Sequence, residues 1–306
     1  KTTPTTGTRA PAAGSCSSPA GPVGETWTIL GGRVLDAAPL LVAGIVNVTP
    51  DSFHDGGLHA EADAAIAHGL RLMDEGAAIL DVGGESTRPY ADPVDAGEEC
   101  ARVLPVITAL ARACADIPDG PVVSVDTYKA ETARRALDAG AMIVNDVSAC
   151  RFDPGLLDVV AEAKPGYVLM HSLGRPGDMQ DAPAYNDTVA EIMAFFEERL
   201  DVLVRAGLPE DHIVLDPGVG FGKLLDHNLE ILQNIAEFGR LGRPVYLGLS
   251  HKSLFGALLD LGPGRRGTAT QVATALAAER GASIHRVHDV AETRRTLDLV
   301  RALRAA

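Results

Sequence analysis

The strongest constraint on this chain is a repeated alternation. Short apolar, β-branched runs at 41–48, 78–83, 122–126, 142–146, 167–171, 213–216, 245–249 and 284–288 are each followed by a longer segment compatible with a helix. Helices are expected over 62–75, 96–115, 130–139, 156–163, 189–206, 229–238, 269–281 and 291–304. Parallel strands need a crossover of about a dozen residues or more, usually a helix. Eight such units in a chain of 306 residues predict one α/β domain over 25–306, a single (β/α)8 TIM barrel. A doubly wound sheet is the competitor, but it would usually carry a glycine-rich dinucleotide turn after its first strand. Here the first strand ends in Asn47-Val48-Thr49-Pro50, which is no such turn.

Residues 1–24 are dominated by Thr, Pro, Ala, Gly and Ser, with Lys1 and Arg9 the only charges. Such a segment cannot bury enough apolar area to offset its ordering entropy, so a flexible tail is expected. It lacks the apolar core of a secretory signal, and no run along the chain is long enough for a membrane helix. Against 27 basic residues stand 41 acidic ones, a net charge of −14 without a basic cluster. Nucleic acid is therefore not an expected partner. Cys16, Cys100, Cys114 and Cys150 show neither CxxC spacing nor a dense framework, as thiols of a reducing cytoplasm would.

In a barrel the active site forms at the C-terminal ends of the strands. Those ends read Asn47, Asp81, Asp126, Asn145-Asp146, His171, Asp216, Ser250-His251-Lys252-Ser253, and Arg286 with His288. One polar ending means little, because Asp or Asn often caps the next helix. Eight together describe a polar pocket. Asp126, Asn145, Asp216 and Lys252 suit a flat heterocycle, since a carboxylate pairs with adjacent N–H donors and an ammonium meets a ring carbonyl. Arg88, Arg286 and His288 suit a phosphate or pyrophosphate, beside which Asn47 would help hold Mg²⁺.

Other patterns are weaker. Gly218-Val219-Gly220-Phe221-Gly222-Lys223 has neither dinucleotide nor P-loop spacing, and its glycines suit a backbone passing close to a ligand. Phe221 would either cover an aromatic ligand or pack locally. Ser250 lacks a nucleophile elbow and His171 lacks an HExxH partner. Asp81 and Asp146 are open to either a structural or a ligand-touching role.

The stretch GIVNVTPDSF at 44–53, followed by DGG at 55–57, resembles the first signature of the dihydropteroate synthases. GGESTRP at 83–89 is similar to their second, and SVDT (124–127), ND (145–146), DPGVGFGK (216–223) and RVHD (286–289) follow in order. The resemblance covers roughly 28–304. It implies a (β/α)8 barrel that condenses 6-hydroxymethyl-7,8-dihydropterin pyrophosphate with para-aminobenzoate, using Mg²⁺, as a homodimer and a sulfonamide target. On that resemblance Asp126, Asn145, Asp216 and Lys252 hold the pterin. Asn47, Arg88, Arg286 and His288 hold the pyrophosphate and its metal, and Thr87, Phe221 and Ser253 flank para-aminobenzoate. Catalysis would then rest on Arg88, Lys252, Arg286 and His288. Two departures stand out. His251 replaces an arginine usual after the seventh strand, and Ser172-Leu173-Gly174-Arg175-Pro176 replaces the usual Met-Arg-Gly-Thr-Pro. A barrel methyltransferase that binds methyltetrahydrofolate would lack the Thr87-Arg88-Pro89 loop and the Arg286/His288 pair. A non-catalytic pterin-binding barrel would have lost Asn47, Arg88 or Arg286, and all three are present.

Overall fold

Two short strands, β1 (Thr26–Thr28) and β2 (Val34–Asp36), form an antiparallel hairpin before the alternation begins. The structure is a computed structural model that describes residues 25–37, 40–48, 57–87 and 90–305; the tail expected over 1–24 lies outside them. After the hairpin come β3 (Leu41–Asn47), β4 (Ile79–Gly83), β5 (Val122–Asp126), β6 (Ile143–Asp146), β7 (Gly166–Met170), β8 (Ile213–Asp216), β9 (Val245–Gly248) and β10 (Ala282–Val287). They close in sequence order into a parallel barrel, with β10 pairing back onto β3. All eight expected runs are strands. The last begins and ends early, so His288 lies just beyond it.

Around the barrel stand α1 (Gly57–Asp74), α2 (Ala96–Ala115), α3 (Ala130–Asp138), α4 (Gly155–Ala163), α5 (Thr188–Ala206), α6 (Leu225–Gln233), α7 (Ile235–Gly239), α8 (Ser253–Leu259), α9 (Gly267–Glu279) and α10 (Val290–Ala305). Aspartates cap two of them: Asp95 accepts from the Glu98 amide and Asp187 from the Ala190 amide, each at 2.9 Å. The single helix expected over 229–238 is two. Asn234 leaves helical geometry (φ −116°, ψ 28°), and Ile235 and Phe238 turn fully into the core. The short α8 was not expected.

Two apolar layers hold the molecule together. The larger fills the space between strands and helices. The smaller occupies the lower barrel, where Ile79, Val122, Ile143, Val168, Val214, Tyr246 and Ile284 meet Trp27, Ile29 and Leu35 of the hairpin segment. The hairpin is thus a plug under the N-terminal mouth. Trp27 is fully buried and its Nε1 donates to the His212 carbonyl at 2.8 Å. Gly166 makes the room: a Cβ there would lie 2.6 Å from Ile29 Cγ2.

Candidate active site

Side chains on a strand alternate between faces, so residues two apart point the same way. Ile79, Val122, Ile143, Val214 and Ile284 face the lower barrel. Two residues further toward the C-terminal mouth stand Asp81, Ser124, Asn145, Asp216 and Arg286, and Asp126 follows Ser124 by two more. The lining changes from apolar to polar within one step, which places a charged cup above a dry plug.

Arg286 is the centre of the cup. Its Nε donates to Asp81 Oδ2 at 2.5 Å and its Nη2 to Asp126 Oδ2 at 2.6 Å. Asn145 Nδ2 also donates to Asp81 Oδ2, at 2.9 Å. The Asp81 side chain is fully buried and its Oδ1 has no hydrogen-bond partner among the described residues. The structure therefore joins what residue types had separated. Asp126, expected on a heterocycle, and Arg286, expected on a phosphate, are ion-paired. Burial would lower the arginine's pKa, but Asp81 and Asp126 outweigh it and hold the guanidinium firmly charged. Burial, opposed by Arg286 and reinforced by Asp81, pushes the Asp126 carboxyl up to about 7.

The loop after β8 forms the second wall. Asp216 Oδ1 accepts from the Gly218 amide at 2.8 Å, and burial pushes its carboxyl up to about 6. Gly218 has φ +68°, and a Cβ there would sit 2.0 Å from the His171 carbonyl oxygen, so no other residue fits. The loop is then tied down by Gln180, which donates to the Gly220 carbonyl at 2.7 Å, and by Tyr185, which donates to that of Gly222 at 3.0 Å. Lys252 Nζ lies 4.2 Å from the centre of the Phe221 ring, and burial lowers its ammonium to about 8 against the pull of Asp216. Phe221 also packs on Tyr128, Val147 and Met170. Of its two expected roles, local packing is present, with one face given to Lys252.

Other residues sit further out. Asn47 ends β3, in register with Gly83, and is partly exposed. Thr87 is partly exposed beyond β4, and Ser253 is exposed as the first residue of α8. His288 stands at the rim, its Nδ1 2.9 Å from Ser250 Oγ. Arg88 lies outside the described residues, as do residues 49–56 of the first signature. Asp146 is structural: its carboxylate accepts from the Ser148 and Cys150 amides at 2.7 and 2.6 Å and from the Tyr167 hydroxyl at 2.7 Å. Among the described residues no group of three or more His, Cys, Asp or Glu could hold a metal ion. A cation beside Asn47 would have to complete its shell with substrate oxygens and water, a set that Mg²⁺ accepts.

Sequence reading missed two supporting networks. Lys223 Nζ is buried 2.9 Å from His171 Nδ1 and donates to the Phe221 carbonyl at 3.0 Å. Burial lowers this lysine to about 7 and, with Lys223 beside it, His171 to about 2, so the imidazole is neutral. Beneath the loop after β4, Glu85 and Glu99 share Lys129, while Thr127 and Thr132 donate to Glu99 at 3.0 and 2.6 Å. Their partners come from different helices and loops, and no spacing in the chain announces them.

The chain matches the family model of the pterin binding enzymes over residues 43–288. It is 42% identical to the dihydropteroate synthase of Escherichia coli K12 over 275 residues, 90% of this chain and 95% of that one. The structure of Xanthomonas albilineans dihydropteroate synthase with 4-aminobenzoic acid superposes with a TM-score of 0.84 at 45% identity, covering 92% of this chain and all of that one. The same enzyme in complex with 7,8-dihydropteroate gives 0.81 at 43%, covering 91% and 99%. With a charged cup at the expected mouth and a likeness that runs nearly end to end, the chain belongs to the dihydropteroate synthase family of the pterin-binding enzymes.

Proposed function

We propose that the chain joins 6-hydroxymethyl-7,8-dihydropterin pyrophosphate to para-aminobenzoate, giving 7,8-dihydropteroate and pyrophosphate, a step of folate synthesis. The observation that carries the reading is the cup itself. Asp126, Asn145, Asp216 and Lys252 stand together at the C-terminal mouth of the barrel, with Arg286 bridging Asp81 and Asp126 among them. Asp216 accepts from adjacent N–H donors of the pterin, Asn145 adds an amide, and Lys252 donates to the ring carbonyl. Arg286 and His288, with Arg88 from the second signature, hold the pyrophosphate. Mg²⁺ held there by Asn47 and the substrate oxygens would supply further positive charge to the leaving group.

Displacement needs no enzyme nucleophile. The bond between the exocyclic carbon and oxygen breaks, pyrophosphate leaves with the electron pair, and the arylamine nitrogen forms the new bond and gives its proton to solvent. Arg286 stabilises charge as it develops on the departing group. Asp126 and Asp216, when ionised, favour the cation left on the pterin side. Thr87, Phe221 and Ser253 flank the arylamine, with Phe221 already oriented by Lys252.

We read the working unit as a homodimer. Val272, Leu276 and Leu303 are 56, 49 and 70% exposed on α9 and α10, whereas Leu297 and Val300 of the same region are buried against the barrel. No helix among the described residues is long and apolar enough to cross a membrane. Cys100, Cys114 and Cys150 are free, buried thiols, which supports a cytoplasmic setting. The test is pyrophosphate release from the dihydropterin pyrophosphate with Mg²⁺, with and without para-aminobenzoate. Release that needs the arylamine and yields dihydropteroate supports the reading; tight pterin binding without release would replace it with a binding-only barrel.

A further inference from the structure

The rim beyond β9 and β10 contains a second ionisable pair that the reaction above does not use. His251 sits in the left-handed region (φ +56°) in the turn after β9. Its backbone is clamped from both sides: its amide donates to Thr270 Oγ1 at 3.2 Å, and its carbonyl accepts from Arg266 Nη1 at 3.0 Å. With the main chain fixed, the ring reaches across to the end of β10, where Nε2 lies 2.8 Å from Asp289 Oδ2. It also lies edge-on to His288, with ring centres 5.5 Å apart and planes at 63°. His288 in turn is bound to Ser250, its amide donating to Ser250 Oγ at 3.2 Å and its Nδ1 lying 2.9 Å from the same oxygen. The anion-holding ring is therefore seated between Ser250 and the His251–Asp289 pair.

Charge complementarity supports this seating. The groups facing His251 are Asp289 and His288 beyond β10, Arg266 ahead of α9, and Lys252 next in its own chain. The Arg266 guanidinium is spent on the His251 and Leu261 carbonyls, and Lys252 turns to Phe221 and Asp216. Asp289 is thus answered across the pair by His251. Without that partner the Asp289 side chain would stand unanswered beside His288, where a pyrophosphate would sit.

We propose that His251, paired with Asp289, is a positioning residue that seats His288 for its hold on the pyrophosphate-bearing substrate. The inference rests on His288 holding pyrophosphate. Its test measures KM for dihydropterin pyrophosphate and for para-aminobenzoate in the parent protein and in His251→Ala, His251→Arg and His288→Ala. In His251→Ala the KM for the pyrophosphate substrate should rise severalfold while that for para-aminobenzoate holds, and His251→Arg, which restores a partner for Asp289, should recover it. An unaltered KM for the pyrophosphate substrate in His251→Ala, in protein whose melting curve matches the parent, overturns the proposal. Failure of the underlying reading looks different: KM for the pyrophosphate substrate would then be the same in His288→Ala as in the parent.

Discussion

Asp216 shows what a binding site costs at the level of one residue. Burial raises its carboxyl to about 6, so the folded chain holds a proton there that the unfolded chain releases nearer pH 4. Stability linked to this group is fully present below about pH 4 and is lost as pH rises through about 6. At pH 8 the carboxylate is ionised in a dry place, which suits a pterin and strains the empty protein. Asp216→Asn should therefore melt above the parent at pH 8 in calorimetry, while binding a pterin about 10-fold or more weakly by titration calorimetry. A lower melting point at that pH would contradict the assignment of strain. In the parent, pterin affinity should fall as pH drops through about 6, because a protonated carboxyl loses an acceptor site. Arg286 belongs to the same scale. Arg286→Ala should lower kcat/KM by about 10²-fold or more in a pyrophosphate-release assay. A loss confined to para-aminobenzoate affinity would sink that role. The identities of Asp126, Asn145, Asp216, Lys252 and Arg286 were legible because each stands at or just beyond a strand end. That Arg286 would spend two nitrogens on Asp81 and Asp126 was not, since Asp81 and Arg286 lie 205 residues apart.

At the scale of elements, the hairpin does the most with the fewest residues. Strands of three residues give no alternation to read, so the plug they form is invisible before the barrel is closed. Trp27 is fully buried at the bottom of that barrel, and Trp27→Ala should cost about 3–5 kcal/mol in urea unfolding. A loss below about 1 kcal/mol would mean the hairpin merely rests on the barrel. The loop after β4 depends on another hidden element contact. Lys129 reaches from the start of α3 to Glu85 and to Glu99, whose carboxyl is raised by burial although Lys129 and two threonines oppose it. Lys129→Met leaves two buried acids without their cation and should cost about 3–5 kcal/mol in urea unfolding. The break at Asn234 has the same origin as these surprises. The helical period of 229–238 is real, but Ile235 and Phe238 gain more by turning inward than by continuing one straight helix.

For the whole molecule, the face left open by α9 and α10 has a direct test. Leu276→Glu combined with Leu303→Glu should convert a dimer to a monomer in sedimentation velocity, because the two leucines are 49 and 70% exposed in one chain. A parent that sediments as a monomer would remove the dimer from the proposal. The sequence alone determined the architecture: eight apolar runs, each too short to span anything but a sheet and each followed by a crossover helix, have one economical closure. It also determined the type of chemistry, because strand ends in such a barrel converge whatever their spacing along the chain. Tertiary structure alone decided the pairings: Arg286 on Asp81 and Asp126, Lys223 on His171, Lys252 over Phe221, His251 on Asp289. Periodicity is a local property, set by backbone geometry within a few residues. Which charge meets which depends on distances across the barrel, and these exist only once it has closed.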